Sequence, residues 1–238
     1  MNPAYYVSSY AAHLRALQQQ HGEARAMELL VGDADHWVGM LEYGVLLNLG
    51  LKPSDAVIDV GCGTGRLSYR LAQCGHAGFF GGTDLLPEVV AYAARRSHRA
   101  DWRFAVATAP PLPFPAGSAD WVTFYSVFTH ILDEDIYLYL QEAKRLLKPG
   151  GRIVFSFLDF TVPEHWPVFE QGLAGRGPDA LLNRFLSQET IRLWCARLGL
   201  RVEHLHAGSE KWIRLSPPLV EYDLSAEFFQ SIAVLAPA

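Results

Sequence analysis

Residues 57 to 67, Val57-Ile58-Asp59-Val60-Gly61-Cys62-Gly63-Thr64-Gly65-Arg66-Leu67, decide how the chain is read. A short apolar, strand-like run leads into three glycines at alternate positions. A helical stretch, Leu67 to Gln73, follows and ends at Gly75. Glycine permits positive φ and lets a ligand approach the main chain closely. A glycine loop that opens a helix also presents free N–H groups and a partial positive charge, which suits a carboxylate or a phosphate. The dinucleotide fingerprint is G-x-G-x-x-G. Here the spacing is G-x-G-x-G, and Arg66 stands where the third dinucleotide glycine belongs, which argues against a nicotinamide or flavin cofactor.

Outward from this loop the chain alternates strands and helices. Phe79 and Phe80 lead a strand towards Asp84, and Pro87 to Ser97 is a helix that starts on proline, where a missing N–H does no harm. Strands are expected at Trp102 to Ala107 and Asp120 to Ser126. The helix from Asp133 to Lys148 has acids at its positive end, bases at its negative end, and Ile136, Leu140, Ala143 and Leu147 on one face. Pro149-Gly150-Gly151 is expected to end it, and Arg152 to Leu158 reads as a fifth strand. Such strand-helix units predict an α/β fold with a parallel sheet covered on both faces. Ligands of these sheets sit at the carboxyl ends of the strands, at the topological switch point. Asp59 and Asp84 both fall on that side. An acid at the end of the second strand accepts hydrogen bonds from ribose hydroxyls, so loop and Asp84 together imply a nucleoside-bearing cofactor.

The flanks differ from this core. Ser8 to about Leu30 is helical, with a weak point at Gly22, and His36 to Leu49 is a second helix stopped by Gly50. We therefore divide the chain into an N-terminal helical addition, 1–50, and a main domain, 51–238. Residues 159–186 are rich in proline, glycine and aromatics around the sequence PEHWP, and read as an insert able to form a substrate lid. Ser187 to Leu198 is a helix with Ser187 and Thr190 as candidate caps, and Val202 to His206 and Ser231 to Leu235 look like two final strands.

Composition narrows the classes. With 238 residues, half of them hydrophobic, 19% charged and a net charge of -5, the chain builds a substantial core and does not read as disordered. It also lacks the basic footprint of a nucleic-acid binder. The basic group Arg95, Arg96, His98 and Arg99 ends a helix, where positive charge is favourable. Three cysteines, Cys62, Cys74 and Cys195, show no paired metal spacing, and their odd count suits a reducing compartment. With no leader pattern and no stretch of membrane-spanning length, a soluble cytoplasmic protein without a membrane partner is expected.

The sequence resembles the class I S-adenosylmethionine-dependent methyltransferases. VIDVGCGTGRL is similar to their first motif and GGTDLLPEVV to their second. LPFPAGSADWVTFYSVFTHI, from Leu112, and RLLKPGGRIVFSF, from Arg145, are similar to the segments around the fourth strand and at the entry to the fifth. The resemblance covers roughly Ser54 to Leu158. It implies a Rossmann-like, doubly wound, mostly parallel seven-stranded sheet with S-adenosyl-L-methionine as cofactor. It further implies that Gly61, Gly63 and Gly65, with Cys62 between them, line the methionine moiety. By the same resemblance Asp59 holds the loop or reaches the amino group, Asp84 binds the ribose, and Leu85 packs on the adenine. Thr108 and Ala109 would border the adenine edge, and Tyr125 and Ser126 would close the pocket. Many relatives have Asp at the position of Thr108, so here a hydroxyl or the backbone replaces that contact.

Methyl transfer from a sulfonium needs alignment and exclusion of water more than it needs proton transfer, although a hydroxyl acceptor gains from a general base. His130, after the fourth strand, is the candidate base, with capping or loop-holding as the structural alternative. His165 and Trp166 in the insert, and Tyr5, Tyr6 and Tyr10 near the N-terminus if its helices fold over the site, are candidate substrate contacts, with packing as the alternative; Trp37 reads as core before acceptor pocket. Cys62 at a helix N-terminus is either an activated thiolate or simply a small residue in a tight loop. The expected function is O- or N-methylation of a small molecule, without a metal. RNA or protein methylation and a non-catalytic cofactor-binding module stand beside it.

Overall fold

The computed structural model describes residues 3–31, 37–174 and 181–238. Five parallel strands carry the frame: β1 (Val57–Val60), β2 (Phe80–Asp84), β3 (Arg103–Val106), β4 (Ala119–Phe124) and β5 (Leu147–Phe157). Two more strands, β6 (Leu200–His206) and β9 (Ser231–Pro237), complete a seven-stranded sheet of order β3-β2-β1-β4-β5-β9-β6 in which β9 runs antiparallel to both neighbours. The order reverses between β1 and β4, so the strand ends there open a crevice. This is the Rossmann-like sheet the sequence implied.

Successive side chains of a strand face opposite ways, and the two faces are covered separately. Ile58, Val60, Val122, Phe124 and Phe155 pack against α6 (Asp133–Leu146) and α8 (Gln188–Leu198), through Ile136, Leu140, Ala143, Ile191 and Cys195. Val57, Trp121 and Val154 pack against α3 (Trp37–Asn48) and α4 (Arg66–Gln73), through Leu41, Val45, Leu67 and Leu71. A third apolar cluster joins α1 (Pro3–His21), α2 (Glu23–Leu30) and α5 (Pro87–Ser97), through Leu14, Ala26, Met27, Leu30, Leu86 and Val89. The N-terminal addition is thereby seated beside the carboxyl edge of the sheet.

Several expectations shift. The first helix starts at Pro3 rather than Ser8, and Gly22 divides it from α2. The second expected helix begins at Trp37 among the described residues; His36 lies outside them. α6 stops at Leu146, because Leu147 is already extended, and Pro149-Gly150-Gly151 falls within β5 instead of between helix and strand. The insert contains a short 3-10 turn, Pro163–His165, and α7 (Trp166–Ala174). Ser187 caps α8 as expected, accepting the Thr190 N–H at 3.0 Å. A hairpin absent from the sequence reading, β7 (Ile213–Leu215) with β8 (Leu224–Ala226), lies on α3, and a Cβ on Gly44 would collide with Ile213 and Leu215.

Candidate functional site

The turn after β1 is tied to the end of β2. Gly61 and Cys62 donate their N–H groups to Thr83 O at 2.8 and 2.9 Å. Gly63 donates to Asp84 Oδ2 at 2.9 Å. Asp84 Oδ1 accepts from Leu85 N at 2.7 Å and, more weakly, from Leu86 N at 3.4 Å. A carboxylate offers about four acceptor directions, so three backbone donors leave one for a ligand hydroxyl. Burial pushes the Asp84 carboxyl upward, and the three N–H donors pull it back. Gly61 and Gly63 have φ of 71° and 53°. A Cβ on Gly61 would run into the Val127 side chain, and one on Gly63 would lie 2.7 Å from Val31 Cγ1. The loop is bare because two neighbouring segments press on it.

A cleft of about 1100 Å³, its mouth included, opens at this edge. Its strand-end side is made by Gly61, Gly63, Asp84, Leu85, Thr108 and Ser126. Its cover is made by Tyr5, Tyr6 and Tyr10 of α1, Leu30 and Val31 at the end of α2, and Leu181 and Leu182. Tyr6 is fixed by two bonds: its hydroxyl donates to Asp135 Oδ2 at 2.5 Å and accepts the Leu132 N–H at 3.0 Å. Burial, then the Asp135 bond, pushes its pKa up to about 12. Burial, then the charge of Asp84, pushes Tyr10 up to about 12 as well.

His130 stands where the two sides meet. Its ring lies edge-on to Tyr10, 6.3 Å between centroids. Its Nδ1 lies 2.7 Å from Leu182 O. A carbonyl only accepts, so Nδ1 carries the proton and Nε2 keeps its lone pair in the neutral ring. Burial lowers the pKa below the usual histidine value, the Leu182 carbonyl opposing it. At neutral pH the ring is therefore a neutral base.

The other expected site residues divide. Tyr5, Tyr6, Gly61, Gly63, Asp84, Leu85, Thr108, Tyr125, Ser126 and His130 line the cleft. Asp59, Cys62, Gly65 and Ala109 do not. Asp59 is buried between β1 and β4, where Thr123 Oγ1 donates to its Oδ1 at 2.7 Å. Burial pushes it up to about 7, against the Thr123 bond and the Arg66 charge. Of its two expected roles, holding the frame is the one its contacts serve. Burial, with Asp84 and Asp59 nearby, raises the Cys62 thiol far above its ordinary range, so the thiolate reading gives way to the small residue in a tight loop. Gly65 is the N-cap of α4. His165 is buried against the main chain of Asp159 and Phe229, and Trp166 is exposed, its Nε1 donating to Phe160 O at 3.1 Å. The insert reaches the cleft through Leu181 and Leu182 at its far end rather than through these two.

Arg66 was read only as a departure from the dinucleotide pattern, yet it lines the cleft. Its Nη1 donates to Val31 O at 2.6 Å and its Nη2 pairs with Glu42 at 2.7 Å, binding α2 and α3 to the glycine loop. No local signal revealed this, because both partners come from other helices. Among the described residues no cluster of three or more His, Cys, Asp or Glu could hold a metal, and no helix is long and apolar enough to cross a membrane.

Comparison with known proteins agrees with this geometry. Residues 57–151 match the family model described as a methyltransferase domain. The chain is 36% identical over 153 residues to a malonyl-[acyl-carrier protein] O-methyltransferase of Hahella chejuensis, a match covering 63% of this chain and 52% of that protein. It is 29% identical over 187 residues to a tRNA U34 carboxymethyltransferase of Methylococcus capsulatus, covering 74% of this chain and 52% of that protein. The chain thus spans about half the length of the curated relatives it matches. Among solved structures, magnesium protoporphyrin IX methyltransferase from Synechocystis PCC 6803, with bound S-adenosylhomocysteine, superposes with a TM-score of 0.62 at 19% identity, covering 90% of this chain and 87% of that one.

Proposed function

We propose that the chain, which carries a methyltransferase domain on a class I-like sheet, transfers a methyl group from S-adenosylmethionine to an oxygen or nitrogen atom of a small molecule. The observation that carries this reading is the convergence of the bare glycine loop, the spare acceptor direction of Asp84 and the neutral ring of His130 on one cleft. The residues present suit the cofactor. Gly61 and Gly63 line the cleft with main chain that the cofactor's amino-acid part can meet, Asp84 suits a ribose hydroxyl, and Leu85 and Thr108 suit the base. When bound, the cofactor supplies an electrophilic methyl on a sulfonium whose leaving thioether is neutral. The protein's share is to align the acceptor and exclude water. Tyr5, Tyr6, Tyr10, Leu181 and Leu182 do this from the cover, and His130 Nε2 accepts the proton of a hydroxyl acceptor.

The same cover speaks to the acceptor. It is aromatic and aliphatic, and Arg66, the one Lys or Arg among the described lining residues, is already paired with Glu42. That suits an acceptor with apolar surface. One observation favours RNA instead: the match to the tRNA-modifying relative covers more of this chain than the match to the acyl-carrier relative. The net charge of -5 weighs against it, because phosphate contacts dominate nucleic-acid affinity. Calorimetric titration with S-adenosylmethionine and, separately, NAD tests the cofactor. Binding of the first alone is expected; binding of neither would refute the reading. Transfer of a radiolabelled methyl group to apolar hydroxylic acids and phenols, but not to tRNA, is the expected result of the acceptor screen.

A further inference from the structure

We propose that Gln230, Ser156 and His165, none of which lines the cleft, are positioning residues that hold Ser126 in the conformation the cleft requires. The inference rests on the cofactor reading above for its consequence, and on geometry alone for its mechanism. Ser126 lines the cleft at the end of β4 with φ of 58°, in the left-handed region that a residue with a Cβ avoids. A closed ring of hydrogen bonds keeps it there. The Ser126 N–H donates to Ser156 Oγ at 2.7 Å. The Ser156 hydroxyl donates to Gln230 Oε1 at 2.7 Å. Gln230 Nε2 donates back to Ser126 Oγ at 3.2 Å. Ser156 Oγ accepts the backbone N–H, which can only donate, and passes its own proton to Oε1, while the amide nitrogen donates to Ser126.

Gln230 is itself held from outside. The preceding residue, Phe229, has φ of 70° and is also not glycine. Its carbonyl faces His165 Nε2 at 2.9 Å, while His165 Nδ1 accepts the Asp159 N–H at 2.8 Å. That second bond makes Nε2 the protonated nitrogen, so it donates to Phe229 O. The Phe229 N–H donates to Gly208 O at 3.1 Å. A Cβ on Gly208 would lie 2.5 Å from His165 Nε2 and 2.7 Å from Phe229 O, so this corner accepts only glycine. Hydrogen bonds and the short link from Phe229 to Gln230 thus run from the insert, through the entrance to β9 and the buried Ser156 of β5, to the end of β4. What they position is visible one residue on. Val127 packs where Gly61 has no side chain, so the turn at Ser126 sets how the loop after β4 meets the glycine loop.

The test uses the full chain with Gln230→Met, which keeps volume and removes both amide bonds. Its crystal structure reads Ser126 φ, calorimetry reads S-adenosylhomocysteine affinity, and a melt reads stability. Ser126 is expected to leave the left-handed region and affinity to fall about tenfold, the scale on which one such residue is disfavoured. Adding Ser126→Gly to the same chain is expected to restore most of that loss, because glycine holds this φ unaided. A merely structural role for Gln230 would not be rescued in this way. If Gln230→Met does not fold, Ser156→Ala, a smaller cut in the same ring, carries the same expectations and the same rescue. Ser126 retaining its φ in the variant overturns the proposal whatever the cofactor does, as does wild-type affinity in the variant or failure of the glycine rescue. A wild-type protein that does not bind S-adenosylhomocysteine refutes the cofactor reading instead, and the φ measurement still decides the mechanism.

Discussion

The strand-end side of the cleft and its cover are built on different principles. The strand-end side is made largely of main chain and short links between neighbours. Its bonds join the glycine loop to the end of β2, and a single carboxylate, Asp84, organises three N–H groups around itself. The cover is made of side chains brought from far apart: Tyr6 bonds to Leu132 and Asp135, His130 to Leu182, and Arg66 to Val31 and Glu42. The first is tied to what backbone geometry permits at one turn, so it can recur wherever the same cofactor is used. The second depends on helices and an insert that lie outside the sheet. It is therefore the side to which the proposed function assigns the choice of acceptor.

The contrast can be broken or sharpened experimentally. The largest effect is expected where the sides meet. His130→Ala should lower turnover about a hundredfold for a hydroxyl acceptor while leaving cofactor affinity nearly unchanged. In the wild type, turnover should fall on the acid side, below pH 6.5, because burial lowers the His130 pKa and the neutral ring is the base. Loss of that acid limb in the variant would identify the group; a variant whose profile keeps it would remove His130 from catalysis. Next, Asp84→Ala should weaken cofactor binding at least about tenfold, roughly 1.4 kcal/mol. Wild-type affinity in a folded Asp84→Ala protein would show that the strand-end side does not hold the ribose.

Smaller effects separate frame from function. The pKa of Asp59 is raised in the folded protein from 3.8 to about 7. Between those values the folded state binds the proton more tightly than the unfolded state, so stability should fall as pH rises through this window and level off above it. Asp59→Asn should flatten that slope and raise the melting temperature at pH 8, read by parallel melts at pH 5 and pH 8. Equal slopes in the two proteins would mean that Asp59 is ionised in the fold. The smallest change is expected for Tyr6→Phe, which deletes one hydroxyl from the cover and costs about 1 kcal/mol in the melt, the net worth of a hydrogen bond. Acceptor KM should rise more than cofactor affinity falls; the reverse split would tie the cover to the cofactor.

The same contrast explains what could be read in advance. The glycine loop and Asp84 were legible because a sharp turn requires a particular residue type at a particular place, and that requirement is written locally. The five parallel strands, the proline start of α5 and the charged ends of α6 were legible for the same reason: periodicity, capping and charge are properties of neighbours in sequence. The α6–β5 junction was misplaced by a few residues because the extended conformation of Leu147 is imposed by its pairing with Ala119 on β4.

By itself, then, the sequence determined the fold class, and it singled out the carboxyl edge, with its loop and acid, as the place proposed for a nucleoside-bearing cofactor. Only tertiary structure decided the rest. It placed Leu181 and Leu182 rather than His165 and Trp166 over the cleft, withdrew Asp59 into the sheet, gave Arg66 its partners, and closed the ring behind Ser126. Each depends on contacts between segments distant in the chain. Nothing in the local propensities of either partner records such a contact; it comes into being when the sheet and its covering helices pack together.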